Sequence, residues 1–429
     1  LSYSSSSQQS ESDDVDHILG RTFGFSFDRY QYFQLAKTWQ VNFGEILASP
    51  KKSSFHIKGN DVMVFLHMQK TGGSAFDRHL VRDLILEQPC KCEPKRKKKC
   101  RCFRPDTNNR YWLFSRYSIG WKCGLHADYT ELINCVDRVL NQVEHIGVKR
   151  RYFYVTLLRD PIARFVSEFK HVQRGATWKS SRHWCGGRLP TPQELPQCYT
   201  GSNWGNVSLS EFMSCRHNLA FNRQTRMLAD LSLVGCYNQS VMSSSERDLV
   251  MLNSAKRNLR QMAFFGLCEE QIASQYLFER TFNQKFKRAF VQFNSTRSRA
   301  TLHALSSDEI KQIHKLNHLD VKLYAFAHEL FRERFSTVKS VDADFERNFE
   351  SLLQKSLHQP KRVSTTTPKT KRANGLEPSN KDQSSVLVPE EEEDDTADDQ
   401  SNDIVYDDGT HVHDSVEDYY SNRIDDSDQ

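Results

Sequence analysis

The feature that most constrains this chain is a glycine-bearing loop that joins a wholly apolar segment to a helix-like one. The stretch VMVFLHMQKTGGSAFDRHL, residues 62–80, places Lys70, Thr71 and two glycines directly after a segment typical of a buried strand. A strand that continues through such a loop into a helix points backbone N–H groups and the positive end of the helix dipole at one place. Glycine permits close backbone approach, and Ser74 adds a hydroxyl. The pattern indicates an anion site, although Gly-Gly after a strand is more often only a tight turn.

The order of residues in this loop excludes one widespread phosphate-binding motif. The P-loop of nucleoside triphosphatases, GxxxxGK[ST], requires its lysine after the glycines. Here Lys70 comes before Gly72 and Gly73. Any phosphate bound by this loop is therefore held in a different way.

The middle of the chain alternates short apolar runs with longer amphipathic stretches, which predicts an α/β domain with a mainly parallel sheet. RYFYVTLL, residues 151–158, is a second predicted strand, and MAFFGLC, residues 262–268, is a third. Asp160-Pro161 follows the second strand as a helix start with proline in the first helical position. Helices are also predicted after the first and third strands, over residues 74–88 and 269–282.

The C-terminal part begins with a strong helix signal and ends without one. Ser306-x-x-Glu309 is a capping box. It predicts one long helix with apolar residues on one side: Ile310, Ile313, Leu316, Leu319, Leu323, Phe326 and Leu330. Low hydrophobicity predicts disorder in residues 1–20, read as a stem remnant, and in residues 341–429, a linker and an acidic tail. The predicted catalytic domain therefore covers residues 21–340.

The net charge of +5 conceals a strongly basic body. From Pro389 to Gln429 the chain has 17 acidic residues against one arginine, a net charge of −16, so residues 1–388 carry +21. Such a surplus favours an anionic partner, whether nucleic acid, a membrane surface or an acidic polysaccharide. The acidic tail is expected to be solvated, or alternatively to fold back on the basic surface as an internal mimic of that polyanion.

Cysteines and glycosylation sequons indicate an oxidising compartment. There are eleven cysteines, and the odd count leaves at least one thiol unpaired or shared with another chain. Asn206, Asn238 and Asn294 each begin an N-x-S/T sequon. Since no apolar run is long enough to span a bilayer, we expect that a membrane anchor or a signal precedes the first residue of this chain.

The segment KCEPKRKKKCRC holds five consecutive basic residues between two Cys-x-Cys pairs. Disulfides between the pairs would tie the run into a rigid basic finger. Two alternatives remain open at this point. Four such cysteines can bind zinc, and a basic run is often a solvated loop or a nuclear-import signal.

Together with VTLLRDPIARFVSEF, the glycine loop resembles the two nucleotide-binding elements of Golgi carbohydrate sulfotransferases. Longer stretches resemble heparan-sulfate 6-O-sulfotransferases over the central part of the chain: HMQKTGGSAFDRHLVRDL, YWLFSRYSIGWKCGLHADYTELINCV, LLRDPIARFVSEFKHVQRGATWKSSRHWCGGR and VQFNSTR. This resemblance implies a three-layer α/β sandwich, similar to P-loop folds, with a central, mainly parallel sheet. It also implies transfer of sulfate from 3′-phosphoadenosine 5′-phosphosulfate to the 6-hydroxyl of glucosamine in heparan sulfate, without a metal ion.

The resemblance also assigns roles to individual residues. It implies Lys70 as stabiliser of the leaving group and His126 as the general base. Donor binding is assigned to two elements and a later loop: His67, Met68, Gln69, Lys70, Thr71, Gly72, Gly73, Ser74, Ala75, Arg159, Ser167, Gln292, Phe293, Thr296 and Arg297. Acceptor binding is assigned to cations and ring side chains: Lys98, Lys99, Arg116, Trp121, His126, His171 and Trp178.

Several alternatives to this interpretation remain. His67 is a rival base, and strand alternation would place it with Gln69 on one face and Lys70 on the other. The chain can be a sulfotransferase of another regiochemistry, such as a 2-O enzyme. It can also be an inactive heparan-binding protein, or a nucleic-acid-binding protein whose basic body includes a zinc module. The favoured partner is the heparan sulfate of proteoglycans, with no nucleic acid, and the expected location is the Golgi lumen as a type II membrane protein.

Overall fold

The computed structural model describes residues 40–93, 99–178, 181–290 and 297–357, with the side chains of 297–299 left out. The predicted stem, the acidic tail and the basic run up to Lys98 lie outside these ranges. So do Gln292, Phe293, Asn294 and Thr296.

A four-stranded parallel sheet lies at the centre of the fold, with the strand order β4-β1-β5-β6. A separate antiparallel hairpin consists of β2 and β3. The strands are β1 Asp61–Leu66, β2 Lys91–Cys92, β3 Cys100–Arg101, β4 Leu113–Phe114, β5 Arg151–Leu158 and β6 Phe264–Leu267.

Helices flank the sheet. They are α1 Phe43–Ala48, α2 Pro50–Ser53, α3 Gly73–Arg82, α4 Tyr129–Glu144, α5 Pro161–Gln173, α6 Leu209–Ser214, α7 Arg223–Leu228, α8 Ser244–Gln261, α9 Gln271–Phe282, α10 Arg297–His303, α11 Ser307–Leu316, α12 His318–Val341 and α13 Phe345–Leu357. Within the described ranges, no helix combines the length and the apolar character that a membrane span requires.

The central strands are buried on both faces, which explains their continuous apolar sequences. Every residue of β1 is buried, and β5 is buried from Phe153 onward. These two strands pair in register, with Val64 opposite Tyr154. Parallel strands covered on both faces read as unbroken apolar runs rather than as alternating ones. The parallel order also brings the carboxyl ends of β1, β5 and β6 to one edge of the sheet.

The predicted strands and the helix start at Asp160 are confirmed. β5 has the predicted bounds, and β6 lies inside the predicted third strand. The Asp160 side chain accepts a hydrogen bond from the Ala163 N–H at 2.7 Å, and Pro161 opens α5. The helix after β1 is shorter than predicted, because α3 ends at Arg82.

Two predictions about the C-terminal part were wrong. The capping box at Ser306 is present, but the single predicted helix is two, α11 and α12, separated at Asn317. Asn317 is buried, and its side-chain oxygen accepts a hydrogen bond from the Asn222 N–H at 3.2 Å. The predicted domain end at residue 340 is too early, because α12 reaches Val341 and α13 follows over 345–357.

Candidate active site

The glycine loop leaves the central strand β1 and starts helix α3. β1 ends at Leu66, so His67, Gln69 and Lys70 lie after the strand, and the predicted alternation of faces does not apply to them. Lys70 and Gly72 both have left-handed backbones, with φ of 64° and 83°. No side chain caps α3, whose first residue is Gly73. Left-handed residues ahead of an uncapped helix start form the kind of backbone concavity that binds anions.

Gly73 is required because the imidazole of His67 occupies the space that a side chain would need. A Cβ at Gly73 would lie 2.1 Å from His67 Cδ2. His67 is 5% exposed, and its ring stacks on Phe65 at 5.3 Å between centroids. The second glycine of the loop therefore serves packing as well as access to an anion.

Arg159 connects the two elements that the resemblance assigns to the donor. It follows β5, and its Nη1 donates a hydrogen bond to the Lys70 carbonyl at 3.2 Å. The buried side chain of Gln224 fixes the Arg159 backbone, accepting from its N–H and donating to its carbonyl, both at 2.9 Å. Arg159 Nε is buried and makes no hydrogen bond within the described structure. An unpaired guanidinium N–H beside the loop suits a site that takes a phosphate group.

His126 lies against the same loop. Its Nδ1 is 3.0 Å from the His67 carbonyl oxygen, and the two imidazole rings are 4.8 Å apart. A carbonyl only accepts hydrogen bonds, so Nδ1 carries the hydrogen and Nε2 is the nitrogen that can accept a proton. Arg116 Nη1 lies 3.4 Å from Nε2. His67 thus orients His126 through its backbone while its own ring is buried.

Trp178 packs against His126 and is held by a buried carboxylate. Its ring centroid is 5.3 Å from those of His126 and His171. The indole N–H donates to Glu168 Oε1 at 3.1 Å. Thus Trp178, which the resemblance assigns to the acceptor, contacts both the candidate base His126 and a second assigned residue, His171.

Glu168 was not predicted from the sequence. It lies on α5, where it also pairs with Arg164 and Arg223. Burial tends to raise the pKa of Glu168, but the charges of Arg223 and Arg164 outweigh it and lower the pKa to about 2. The carboxylate is therefore charged at neutral pH. The only local sequence signal for this pairing was the position of Glu168 four residues after Arg164 in a predicted helix.

Asp77 was also missed. It is completely buried on α3, and its Oδ2 accepts a hydrogen bond from the Tyr117 N–H at 2.9 Å. Burial raises the pKa of Asp77 to about 7. Asp77 thereby attaches the segment that carries Arg116 to the helix that follows the glycine loop.

The two Cys-x-Cys pairs are joined by disulfides, as predicted. Cys90 is bonded to Cys102 and Cys92 to Cys100, across the β2-β3 hairpin. These bonds occupy the four thiols that the zinc alternative requires. Lys99, the described basic residue of the run, has its Nζ 5.0 Å from the ring centroid of Trp121. Its placement above an aromatic ring is a cation–π contact.

The other cysteines pair as well, apart from one. Disulfides join Cys123 to Cys135, Cys185 to Cys236 and Cys198 to Cys215. The first of these closes the segment that contains His126. Cys268 is unpaired and buried, and it lies beneath Gly72, where a Cβ would be 3.4 Å from its Sγ. The odd thiol is therefore internal rather than shared with a second chain.

The remaining predicted residues occupy several environments. Met68, Gln69 and Thr71 are buried, whereas Ser74 and Ala75 lie in the first turn of α3. Ser167 is 9% exposed on α5. Arg297 begins α10. Asn206 is exposed, and Asn238 accepts a hydrogen bond from the Ser240 hydroxyl at 2.7 Å.

Known proteins match most of this chain. The model of the family described as the sulfotransferase family matches residues 53–327. The chain is 55% identical over 313 residues to heparan-sulfate 6-O-sulfotransferase 1-B of Danio rerio, covering 72% of this chain and 75% of that relative. It is also 55% identical over 290 residues to heparan-sulfate 6-O-sulfotransferase 1 of Homo sapiens, covering 67% and 70% of the two chains.

Proposed function

Since the chain belongs to the sulfotransferase family, among the heparan-sulfate 6-O-sulfotransferases, we propose that it sulfates the 6-hydroxyl of glucosamine residues in heparan sulfate. The sulfate donor in this proposal is 3′-phosphoadenosine 5′-phosphosulfate. The observation that best supports it is the hydrogen bond from His126 to the backbone of the loop that holds Lys70. A base and an anion site are thereby adjacent, as sulfuryl transfer requires.

On the donor side, loop 67–75 binds the 5′-phosphosulfate, while Arg159 and Ser167 bind the 3′-phosphate. Support comes from the uncapped start of α3 and from the buried, unpaired Arg159 Nε. Both features suit anionic oxygens. The later loop with Gln292, Phe293, Thr296 and Arg297 is assigned to the nucleotide by family resemblance alone.

In the transfer step, the 6-oxygen of the sugar attacks sulfur in line with the bond to the 5′-phosphate. Nε2 of His126 accepts the hydroxyl proton, and a new O–S bond forms as the S–O bond to phosphate breaks. The electron pair of the broken bond stays on the phosphate oxygen. The Lys70 ammonium stabilises this growing negative charge, which is larger in the transition state than in the bound donor.

On the acceptor side, cations and rings bind the carboxylate and sulfate groups and the pyranose rings of heparan sulfate. Lys99 and Lys122 both lie over Trp121, at 5.0 and 5.4 Å. Trp178 packs between His126 and the buried His171, with its ring centroid 5.3 Å from each of theirs. Lys98 is assigned to the same surface by family resemblance.

Five disulfides favour an oxidising location, and we place the protein in the Golgi lumen. Asn206 and Asn238 are proposed as glycosylation sites, and Asn294 is proposed from its sequon alone. The acidic tail is proposed to be a solvated segment or an internal competitor of the acceptor. Truncation before Val386 distinguishes these roles, because only removal of a competitor lowers the apparent KM for the acceptor.

The decisive experiment is transfer of labelled sulfate from the nucleotide donor to desulfated heparan chains, followed by disaccharide analysis of the product. We expect label at the 6-position with the wild type, and a fall in kcat of about 100-fold or more in His126→Ala and Lys70→Ala. His314→Ala is the matched control, because His314 is exposed on α11. Label at the 2-position would contradict the regiochemistry, and full activity of His126→Ala would remove the proposed base.

A further inference from the structure

Residues 181–184 run beside the segment that carries the candidate base. The Ser181 hydroxyl donates a hydrogen bond to the Leu125 carbonyl at 3.2 Å. Arg182 Nη1 is 3.4 Å from the Lys122 carbonyl oxygen, within hydrogen-bond distance. Since Trp178 touches His126, residues 178, 181 and 182 contact residues 126, 125 and 122 respectively. Segment 181–184 therefore borders the proposed acceptor surface.

The side chains of this segment alternate between solvent and core. His183 turns inward, where its Nδ1 is 3.1 Å from the Tyr237 hydroxyl, and Cys185 is buried in its disulfide with Cys236. Arg182 and Trp184 are exposed, and Trp184 retains 43% of its surface area. The backbone here is not a regular strand, because His183 has a left-handed φ of 56°. The segment nevertheless exposes one cation and one large ring two residues apart.

The backbone around these two residues is fixed rather than loose. The Trp184 N–H donates to Glu131 Oε1 at 3.0 Å, and Glu131 belongs to the first turn of α4. The aliphatic part of Arg182 covers Gly124, where a Cβ would be 3.3 Å from Arg182 Cγ. Exposed side chains on an anchored backbone lose little freedom on binding a ligand.

We propose that Arg182 and Trp184 form a further acceptor subsite, which binds an anionic group and a pyranose ring of the heparan chain away from the reacting sugar. This inference rests on the proposed function. The chemistry matches that of the Trp121 region, where Lys99 and Lys122 accompany one ring. Because heparan sulfate repeats its charges along the chain, a long acceptor reaches both regions at once and gains affinity from the second.

The test compares a tetrasaccharide acceptor with a long heparan chain in Arg182→Ala, Trp184→Ala and Arg182→Lys. We expect the apparent KM for the long chain to rise about fivefold in either alanine variant. The rise for the tetrasaccharide should be clearly smaller, and Arg182→Lys should restore part of the loss. Arg347→Ala is the matched control, since Arg347 is exposed on α13. Equal losses on both acceptors, or no loss on either, would overturn the subsite.

A binding measurement separates failure of the subsite from failure of the proposed activity. On immobilised heparan sulfate, Arg182→Ala and Trp184→Ala should elute at lower salt than the wild type and Arg347→Ala. If the wild type transferred no sulfate, the proposed function would fail, yet elution would still decide the subsite. If both variants eluted at the same salt concentration as the wild type, the subsite would be refuted. An unsulfated chain, whose anions are carboxylates, identifies the group: the Arg182→Ala loss persists on it if Arg182 binds a carboxylate and disappears if it binds sulfate.

Discussion

The donor side and the acceptor side of the candidate site are held together in different ways. On the donor side, meaning residues 67–75 and 158–167, the backbone is fixed by buried groups such as Gln224 and by contact with the sheet. No cysteine lies in either segment. On the acceptor side, meaning residues 90–126 and 178–188, two disulfides cross-link the β2-β3 hairpin and two others attach the segments to Cys135 and Cys236.

This difference matches the two proposed ligands. A single nucleotide of fixed shape can be bound by strand ends and one helix start, which the core positions accurately. A long polyanion needs many exposed cations and rings, and exposed loops bury too little apolar surface to hold themselves in place. Disulfides supply that constraint without burying the side chains that bind. The donor side should therefore be intolerant of small changes, and the acceptor side tolerant of single losses.

The strongest test of this comparison is Gly73→Ala on the donor side. A Cβ there meets the buried His67 imidazole, so the loop and His67 must shift. We expect kcat/KM to fall about a thousandfold, with weaker binding of the nucleotide measured by calorimetry. Gly147→Ala is the control, because a Cβ at Gly147 has no neighbour within 4 Å. Near-normal donor binding by Gly73→Ala would show that the donor side is not rigid.

Asp77 connects the helix after the donor loop to Tyr117 on the acceptor side. Its titration gives the next largest expected effect, a change in the free energy of unfolding with pH. Its pKa is about 7 when folded against a usual value of 3.8, so the folded state retains a proton that the unfolded state loses. Its contribution to stability is present below pH 4 and is lost as the pH rises through 7. Asp77→Asn should then be more stable than the wild type at pH 7.5, by about 2 kcal/mol, and lose this advantage near pH 4.

Thermal or denaturant unfolding between pH 4 and pH 8 measures this difference. Asp83→Asn is the control from the end of the same helix. Burial tends to raise the pKa of Asp83, but its pairing with His79 lowers it overall, so its removal should cost stability at neutral pH. If both variants changed stability in the same direction, the proposed role of Asp77 would be wrong.

On the acceptor side, removal of the Cys123–Cys135 disulfide should lower kcat about tenfold, because it closes the segment that positions His126. The double variant Cys123→Ser/Cys135→Ser should bind the nucleotide donor as the wild type does. Cys198→Ser/Cys215→Ser removes a disulfide outside that segment and serves as the control. Loss of donor affinity equal to the loss of kcat would show that the two sides are not held separately.

The smallest expected effect is that of a single exposed cation. Lys99→Ala should raise the KM for heparan sulfate about threefold, more at low salt than at high salt, since exposed charges are screened. The KM for the donor should not change. Lys51→Ala, an exposed lysine on α2, is the control. A large loss in Lys99→Ala would mean that the acceptor side depends on one residue, as the donor side does.

Local sequence patterns predicted much of the fold because they encode it directly. The unbroken apolar runs of β1 and β5, the cap at Asp160 and the capping box at Ser306 all involve residues close together in the chain. The disulfides between the two Cys-x-Cys pairs were predicted from the symmetric spacing of the cysteines. By contrast, the helix break at Asn317 depends on Asn222, which lies 95 positions away.

The candidate site was less accessible to sequence reasoning for the same reason. Glu168 meets Arg223, 55 positions later, and Asp77 meets Tyr117, 40 positions later. No local pattern marks such carboxylates as buried. His126 is one of 16 histidines, and only the family resemblance selected it.

The hydrogen bond between His126 and the His67 carbonyl has a consequence for how this enzyme can diversify. The imidazole proposed to deprotonate the sugar is hydrogen-bonded to the backbone of the loop proposed to bind the nucleotide. A displacement of either one therefore displaces the other. New acceptor preferences must therefore arise away from this hydrogen bond, by substitutions in the disulfide-bonded acceptor segments that leave the contact between His126 and His67 intact.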